Sequence, residues 1–185
     1  MSDESGQRLS PTDAKRLDAD VTLEELTWQS ATDLLDRQDG MEKYLPDGIY
    51  GVDPRNGETT LFNRSRARRP HDNRSGGQAA GNQPECVICA GRTTSIIDRA
   101  KLSDGFTFIN ENLFPILHPE SAERGYPWVG GDLGGSSFGL HFVQWTSSRH
   151  DHDWPDLPLD DQLTVLNRLA ALEKRLLELP GFPGD

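Results

Sequence analysis

A long stretch of helical periodicity, Leu159 to Leu179, stands in a chain whose other apolar residues come in short runs cut by Gly, Pro and Asn. With one long helix and otherwise strands and turns, the expected fold is α+β: a mainly antiparallel sheet with the long helix packed across one face. Asp160 and Asp161 suit the positive end of that helix, and Leu163, Leu166, Leu169, Leu172 or Leu176, and Leu177 form the stripe expected to be buried.

The strands are read from Gly48 onward. Ile49 to Val52 and Glu58 to Phe62 flank Asp53-Pro54-Arg55-Asn56-Gly57, whose Pro and Asn-Gly favour chain reversal into a hairpin. Phe106 to Ile109 reads as a strand, and Asn110 to Leu117 as an ordered loop carrying Asn112, Phe114 and Pro115. Phe138 to Trp145 alternates as a second long strand with Phe138, Leu140 and Phe142 on one face. The Gly-rich run Gly130 to Ser137 has no Lys of the phosphate-loop kind and precedes a strand, so it reads as a plain loop. Near the N-terminus a short helix is expected, with Thr22 as cap, Glu25 completing a capping box, Val21 stapled onto Leu26, and Asp39-Gly40 as its end. Its apolar stripe is Leu23, Leu26, Ala31, Leu34 and Leu35. The expected division is 1–44, a flexible acidic tail plus this helix, and 45–185, the main domain.

Composition sets outer limits. With 34% apolar residues, 18 Gly and 12 Pro in 185 residues, the core must be modest and the loops long. A net charge of −11 argues against a general nucleic-acid binder, which needs a basic face to neutralise phosphates. No apolar run reaches the roughly 18 residues that cross a bilayer, and the N-terminus is polar, so the expected location is the cytoplasm, with no membrane partner.

The chemistry-bearing residues are few. Cys86 and Cys89, the two cysteines of the chain, have the C-x-x-C spacing that lets two thiolates chelate one ion, and His150 follows about sixty residues later. Soft thiolates with imidazole are zinc donors; free cysteines in a tight turn and a redox dithiol are the competing readings, the latter weakened because no clear helix starts at Cys86 to depress a thiol pKa. Arg66, Arg68 and Arg69 cluster in an otherwise acidic chain, and guanidinium forks match the oxygens of a diphosphate; a solvated charged loop is the alternative. His150-Asp151-His152-Asp153 has no nucleophile beside it at a recognisable spacing, which favours metal or structural duty.

Taken in order, these pieces resemble the N-terminal half of the galactose-1-phosphate uridylyltransferases, a family of the histidine-triad superfamily. The resemblance rests on Asp53-Pro54-Arg55-Asn56-Gly57-Glu58, Arg66-Ala67-Arg68-Arg69-Pro70, Cys86-Val87-Ile88-Cys89-Ala90-Gly91, Asn110-Glu111-Asn112-Leu113-Phe114-Pro115, and His150 before Trp154-Pro155-Asp156-Leu157, and runs from about Gly48 to Leu179. It implies an incomplete histidine-triad-like sheet, half of the family fold, with zinc held by Cys86, Cys89 and His150. It also implies uridine contacts from Asn112 and Phe114, and phosphate contacts from Arg66 and Arg69. UDP-sugar and hexose 1-phosphate would be the substrates, and a homodimer or a complementing C-terminal half the partner.

The departure from the family is equally specific. The family's nucleophilic imidazole lies in a His-Pro-His-Gly-Gln segment on the strand after the long helix, where the first histidine is the fourth zinc ligand, and no such segment is present among these residues. The expectation is a uridylyltransferase-like protein of galactose metabolism that is inactive alone, with no catalytic residue of its own and a sheet edge left open. The alternative is a non-catalytic zinc-binding nucleotide-binding or scaffold module; a relative of the nucleoside-polyphosphate phosphorylases is a third reading.

Overall fold

The computed structural model describes residues 21–37, 48–64, 93–112, 114–119, 134–149 and 152–180. The described elements are α1 (Trp28–Asp36), β1 (Ile49–Val52), β2 (Thr59–Phe62), β3 (Ile96–Lys101), β4 (Phe106–Glu111), β5 (Gly134–Ser136), β6 (Phe142–Trp145) and α2 (Leu159–Leu177), with a 3-10 turn at Trp154–Asp156. The protein is α+β with two antiparallel three-stranded sheets, β2-β1-β5 and β3-β4-β6. They fall in two compact units, the second sheet sharing its unit with α2.

In the unit of the first sheet, the expected hairpin forms with Ile49 opposite Phe62 and Val52 opposite Thr59. Its turn is closed by Asp53 N–H donating to Glu58 O at 2.8 Å and Gly57 N–H donating to Asp53 O at 2.8 Å. The Arg55 side chain and backbone N–H both donate to the Asp53 carboxylate, holding that acid below its ordinary range. A depressed acid contributes stability above its unfolded pKa of about 3.9 and loses it as pH falls through the folded value.

The glycine-rich run is a strand in part. Gly134–Ser136 pairs antiparallel with β1, and Ser137 N–H continues the ladder to Gly48 O at 3.0 Å. The expected continuous strand Phe138 to Trp145 is correspondingly shorter, and only Phe142–Trp145 is extended in a ladder. Gly139 explains the break: its φ of +152° suits few L residues, its N–H donates to His118 O, and an added Cβ would sit 3.1 Å from Leu117.

In the unit of the second sheet, β3 and β4 form a hairpin whose register slips by one residue between Ile96 and Asp98. β3 escaped the sequence analysis because Ile96-Ile97 is followed at once by Asp98-Arg99, which masks its apolar content. Gly105 turns the hairpin at φ +77°, and a Cβ there would stand 2.4 Å from Ser148 Oγ. Phe108, wholly buried, stacks on Trp145 with centroids 6.0 Å apart and tilts against Phe106 at 5.9 Å. Trp145 Nε1–H donates to Asn110 Oδ1 at 3.0 Å, tying β4 to β6 on the same face. Asn110 and Glu111 thus belong to β4 and not to the loop expected from Asn110 onward.

The long helix lies where the pattern put it, but of the stripe expected to be buried only Leu172 is fully inward and most of the other leucines face out. Its buried residues are Asp161, Val165 and Leu172, whereas Leu163, Leu166, Leu169 and Leu177 are 47 to 61% exposed. Polar anchors decide this. Arg168 forks onto the nearly buried Asp98 carboxylate of β3, Gln144 Nε2 donates to Val165 O at 2.8 Å, and Ser103 N–H and Oγ–H donate to Asp161. Val165 then joins Leu102 and Leu157 in a small apolar cluster. A hydrophobic count cannot weigh these bonds, which give the buried Asp98 and Asp161 carboxylates their partners.

The N-terminal helix also starts later than expected. Only half of the Thr22–Glu25 box forms, with Thr22 N–H donating to Glu25 Oε2 at 3.4 Å and Glu25 N–H donating to Thr22 O at 3.1 Å, and it closes an isolated turn. A second box follows, in which Ser30 N–H donates to Thr27 Oγ1 at 3.0 Å and Thr27 N–H to Ser30 Oγ at 2.9 Å, and α1 begins there. Arg175 of α2 donates twice to Leu26 O, which uses the carbonyl between the two boxes. The expected stop at Asp39-Gly40 and the tail 1–20 lie outside the described residues.

Candidate functional site

Of the sequence-derived site residues, Asn112 and Phe114 are described; Arg66, Arg69, Cys86, Cys89 and His150 lie outside the described residues. The site that can be built is therefore the loop that leaves β4. Asn112 N–H donates to His141 O at 2.9 Å, so the loop begins bonded to the residue before β6. Asn112 Oδ1 accepts from Phe114 N–H at 2.8 Å, a local turn of the kind Asn makes with the backbone two residues on. Ile116 N–H donates to His141 Nδ1 at 3.0 Å, and Ile116 O accepts from Asn63 Nδ2 at 3.2 Å. Gly139 N–H donates to His118 O at 2.9 Å and closes the loop's far end.

These bonds orient two side chains. A neutral imidazole has one N–H and one lone pair, so His141 accepts at one ring nitrogen only, from Ile116 N–H at Nδ1 or from Asn112 Nδ2 at Nε2. Asn112, with Oδ1 engaged by Phe114, presents its amide NH2. Asn112 Nδ2 and His141 Nε2 face each other at 3.1 Å, so the amide and the imidazole edge are held side by side. The Asn112 amide carries a second N–H, a donor of the kind from which a carbonyl or phosphate oxygen accepts. The half-buried Phe114 beside it offers a ring.

His141 was missed by sequence reasoning. It sits between Leu140 and Phe142, in a run read only for its apolar alternation. The available signal was a titratable residue on the opposite face of that alternation; what makes it matter, the two backbone bonds to a loop 25 and 29 residues earlier, is tertiary.

On the metal side, the residues leading to His150 are firmly held. Ser148 N–H donates to Phe106 O at 2.8 Å, Phe106 N–H donates to Ser148 Oγ at 3.1 Å, and Arg149 pairs with Asp104. Among the described residues there is no group of three or more His, Cys, Asp or Glu placed to hold a metal. No described helix is long and apolar enough to cross a membrane.

Comparison of the chain with protein-family models, with curated proteins and with solved structures finds no match.

Proposed function

We propose that this protein is a uridylyltransferase-like nucleotide-binding protein that recognises the uridine of a UDP-sugar through the Asn112–Phe114 loop. The observation that supports it is the Asn112–Phe114 turn, in which Phe114 N–H donates to Asn112 Oδ1 at 2.8 Å and leaves the Asn112 amide NH2 as the donor side for a uracil carbonyl. Phe114 would cover the base, and Arg66 and Arg69 would take the diphosphate, as guanidinium forks do. Cys86, Cys89 and His150 are a donor set of the zinc type, and zinc there would hold the Cys-x-x-Cys segment to the end of the strand that leads to His150. In this reading the sheet is of the histidine-triad kind, the location is the cytoplasm, and hexose 1-phosphate is the second substrate. These 185 residues contain no His-x-His-x-Gln segment, so the chain binds UDP-glucose without forming a uridylyl-histidine.

Titration calorimetry with UDP, UDP-glucose and ADP tests the reading. Binding of the uridine nucleotides in preference to ADP is expected, and Asn112→Ala should weaken it about 10- to 100-fold, the effect of removing one donor to a buried acceptor. Equal binding of ADP, or an Asn112→Ala variant with unchanged affinity, would sink the assignment. An acid-labile uridylyl adduct would refute the statement that the chain alone is inactive.

The metal is tested separately. Purified protein should hold about one zinc per chain, and Cys86→Ser should lower that content at least tenfold. A chain with no metal by elemental analysis removes zinc from the proposal without touching the nucleotide loop.

A further inference from the structure

The face of α2 turned away from the sheet has a pattern of its own. Residues advance about 100° around a helix, and a heptad repeat keeps its a and d positions on one side. With Leu163 at an a position, the a and d positions are Leu159, Leu163, Leu166, Ala170, Glu173 and Leu177. All six are exposed, Leu159 at 69% and Leu177 at 61%. The buried residues Asp161, Val165 and Leu172 fall on the opposite side. The helix therefore carries a packed face and, diametrically opposed to it, a seam of four leucines with no element of the described structure against it.

We propose that this seam is an interface between two copies of the chain, formed by α2 packing antiparallel on α2 about a two-fold axis. The charge pattern argues for that occupant. In an antiparallel pair an a residue packs against a d residue of the other helix, which layers Leu159 on Leu177, Leu163 on Glu173 and Leu166 on Ala170 of the second copy. In the same register the flanking positions Asp160, Asn167 and Lys174, each seven residues from the next, bring Asp160 opposite Lys174 of the second copy at both ends, with Asn167 meeting itself on the axis. Lys174 is 78% exposed and stands 3.9 Å from Glu178, a loose contact that leaves it able to reach across. Leu169, 47% exposed, meets its own counterpart on the other flank.

The sequence is thus self-complementary in one orientation. A parallel pair would set Glu173 against Glu173 in one core layer, adding the repulsion of like charges, which the antiparallel register avoids by placing each Glu173 against Leu163. The self-pairing surface is isologous, the arrangement that closes at two copies and does not propagate. A 19-residue helix is about 28 Å long, so the interface is small and its dissociation constant is on the order of 10 μM. The inference is independent of the nucleotide reading.

Sedimentation equilibrium of the full chain, from about 1 to about 200 μM, is the test. A monomer–dimer equilibrium is expected. Leu166→Lys should leave only monomer, and Asp160→Lys should weaken dimerisation about tenfold by opposing Lys174 of the second copy. Adding Lys174→Asp to Asp160→Lys should restore the dimer, and Glu173→Leu should tighten it about tenfold by completing the apolar seam. All sites are exposed, and far-UV circular dichroism checks that each variant is folded. A wild-type chain that stays monomeric at the highest concentration overturns the proposal, as does a dimer indifferent to Leu166→Lys or a charge swap that fails to rescue.

Discussion

Phe108→Ala should lower the unfolding free energy by about 4 kcal/mol, the value typical of a large core aromatic cut to a methyl. Phe108 has no solvent exposure, stacks on Trp145 at 6.0 Å and 16°, and lies 5.9 Å from the tilted ring of Phe106. Truncation removes both ring contacts and leaves a cavity between two β-strands, whose backbone ladder cannot collapse to fill it. The same Trp145 holds Asn110 through its indole N–H, so loosening the ring also weakens a polar tie between β4 and β6. Because a domain of this size has a total stability on the order of 5–15 kcal/mol, a loss of this size approaches unfolding. Urea denaturation followed by tryptophan fluorescence measures it, with Phe108→Leu, expected to cost about 1.5 kcal/mol, as the milder comparison. A Phe108→Ala loss under about 1 kcal/mol would mean that the ring is not the centre of this core.

Asp98→Ala is the second large effect, at about 2–3 kcal/mol. Asp98 is 7% exposed and receives both arms of the Arg168 guanidinium, an arrangement stronger than a point-charge contact. Removing the carboxylate strands a cation against the sheet. The guanidinium retains 28% exposure, however, so water recovers part of the loss, which puts the figure below that for a fully buried pair. The carboxylate raises Arg168 further above its already high pKa. A raised base contributes stability below its unfolded pKa and loses it only as pH rises through the folded one, so the Arg168 contribution is constant through neutral pH. The double variant Asp98→Ala with Arg168→Met should be less destabilised than Asp98→Ala alone, because no charge is left unpaired. The reverse order would place the pair's value in the aliphatic stem of Arg168.

The second effect bears on why most of the leucine stripe of α2 faces out. The periodicity of the leucines selects Leu163, Leu166, Leu169, Leu172 or Leu176, and Leu177 as the buried stripe. Packing selected the side with Val165 and Leu172 because that side also carries Asp161 and Arg168, whose partners Ser103 and Asp98 lie 58 and 70 residues earlier. Nothing local in the sequence announces such partners. The displaced leucines are then left as a surface, and the self-complementary charges beside them give that surface a use.

The strands divide in the same way. The β1–β2 hairpin was legible because Pro54 and Asn56-Gly57 carry turn chemistry within six residues, and Phe106 to Ile109 because its run is strongly apolar. β5, three residues of Gly-Gly-Ser, has no side-chain signal and exists only because β1 offers it an edge with which to pair. β3 was hidden by its charges, of which Asp98 is the very residue that α2 needs.

The candidate site follows the same split between local and distant causes. Asn112 and Phe114 were visible as residue types at a motif spacing, and their mutual hydrogen bond is local. His141 acquires its orientation from the N–H of Ile116, and its Nε2 then lies 3.1 Å from Asn112 Nδ2. What the sequence determined alone was the class of the fold, the position and length of the long helix, the first hairpin and the local turn at Asn112 and Phe114. The tertiary structure decided which face of the helix is buried, which histidine joins the loop and which glycines become a strand. Each of those outcomes is set by a hydrogen bond or an ion pair between residues far apart in the chain, and the free energy of burying polar groups rewards such bonds only once both partners have been brought together.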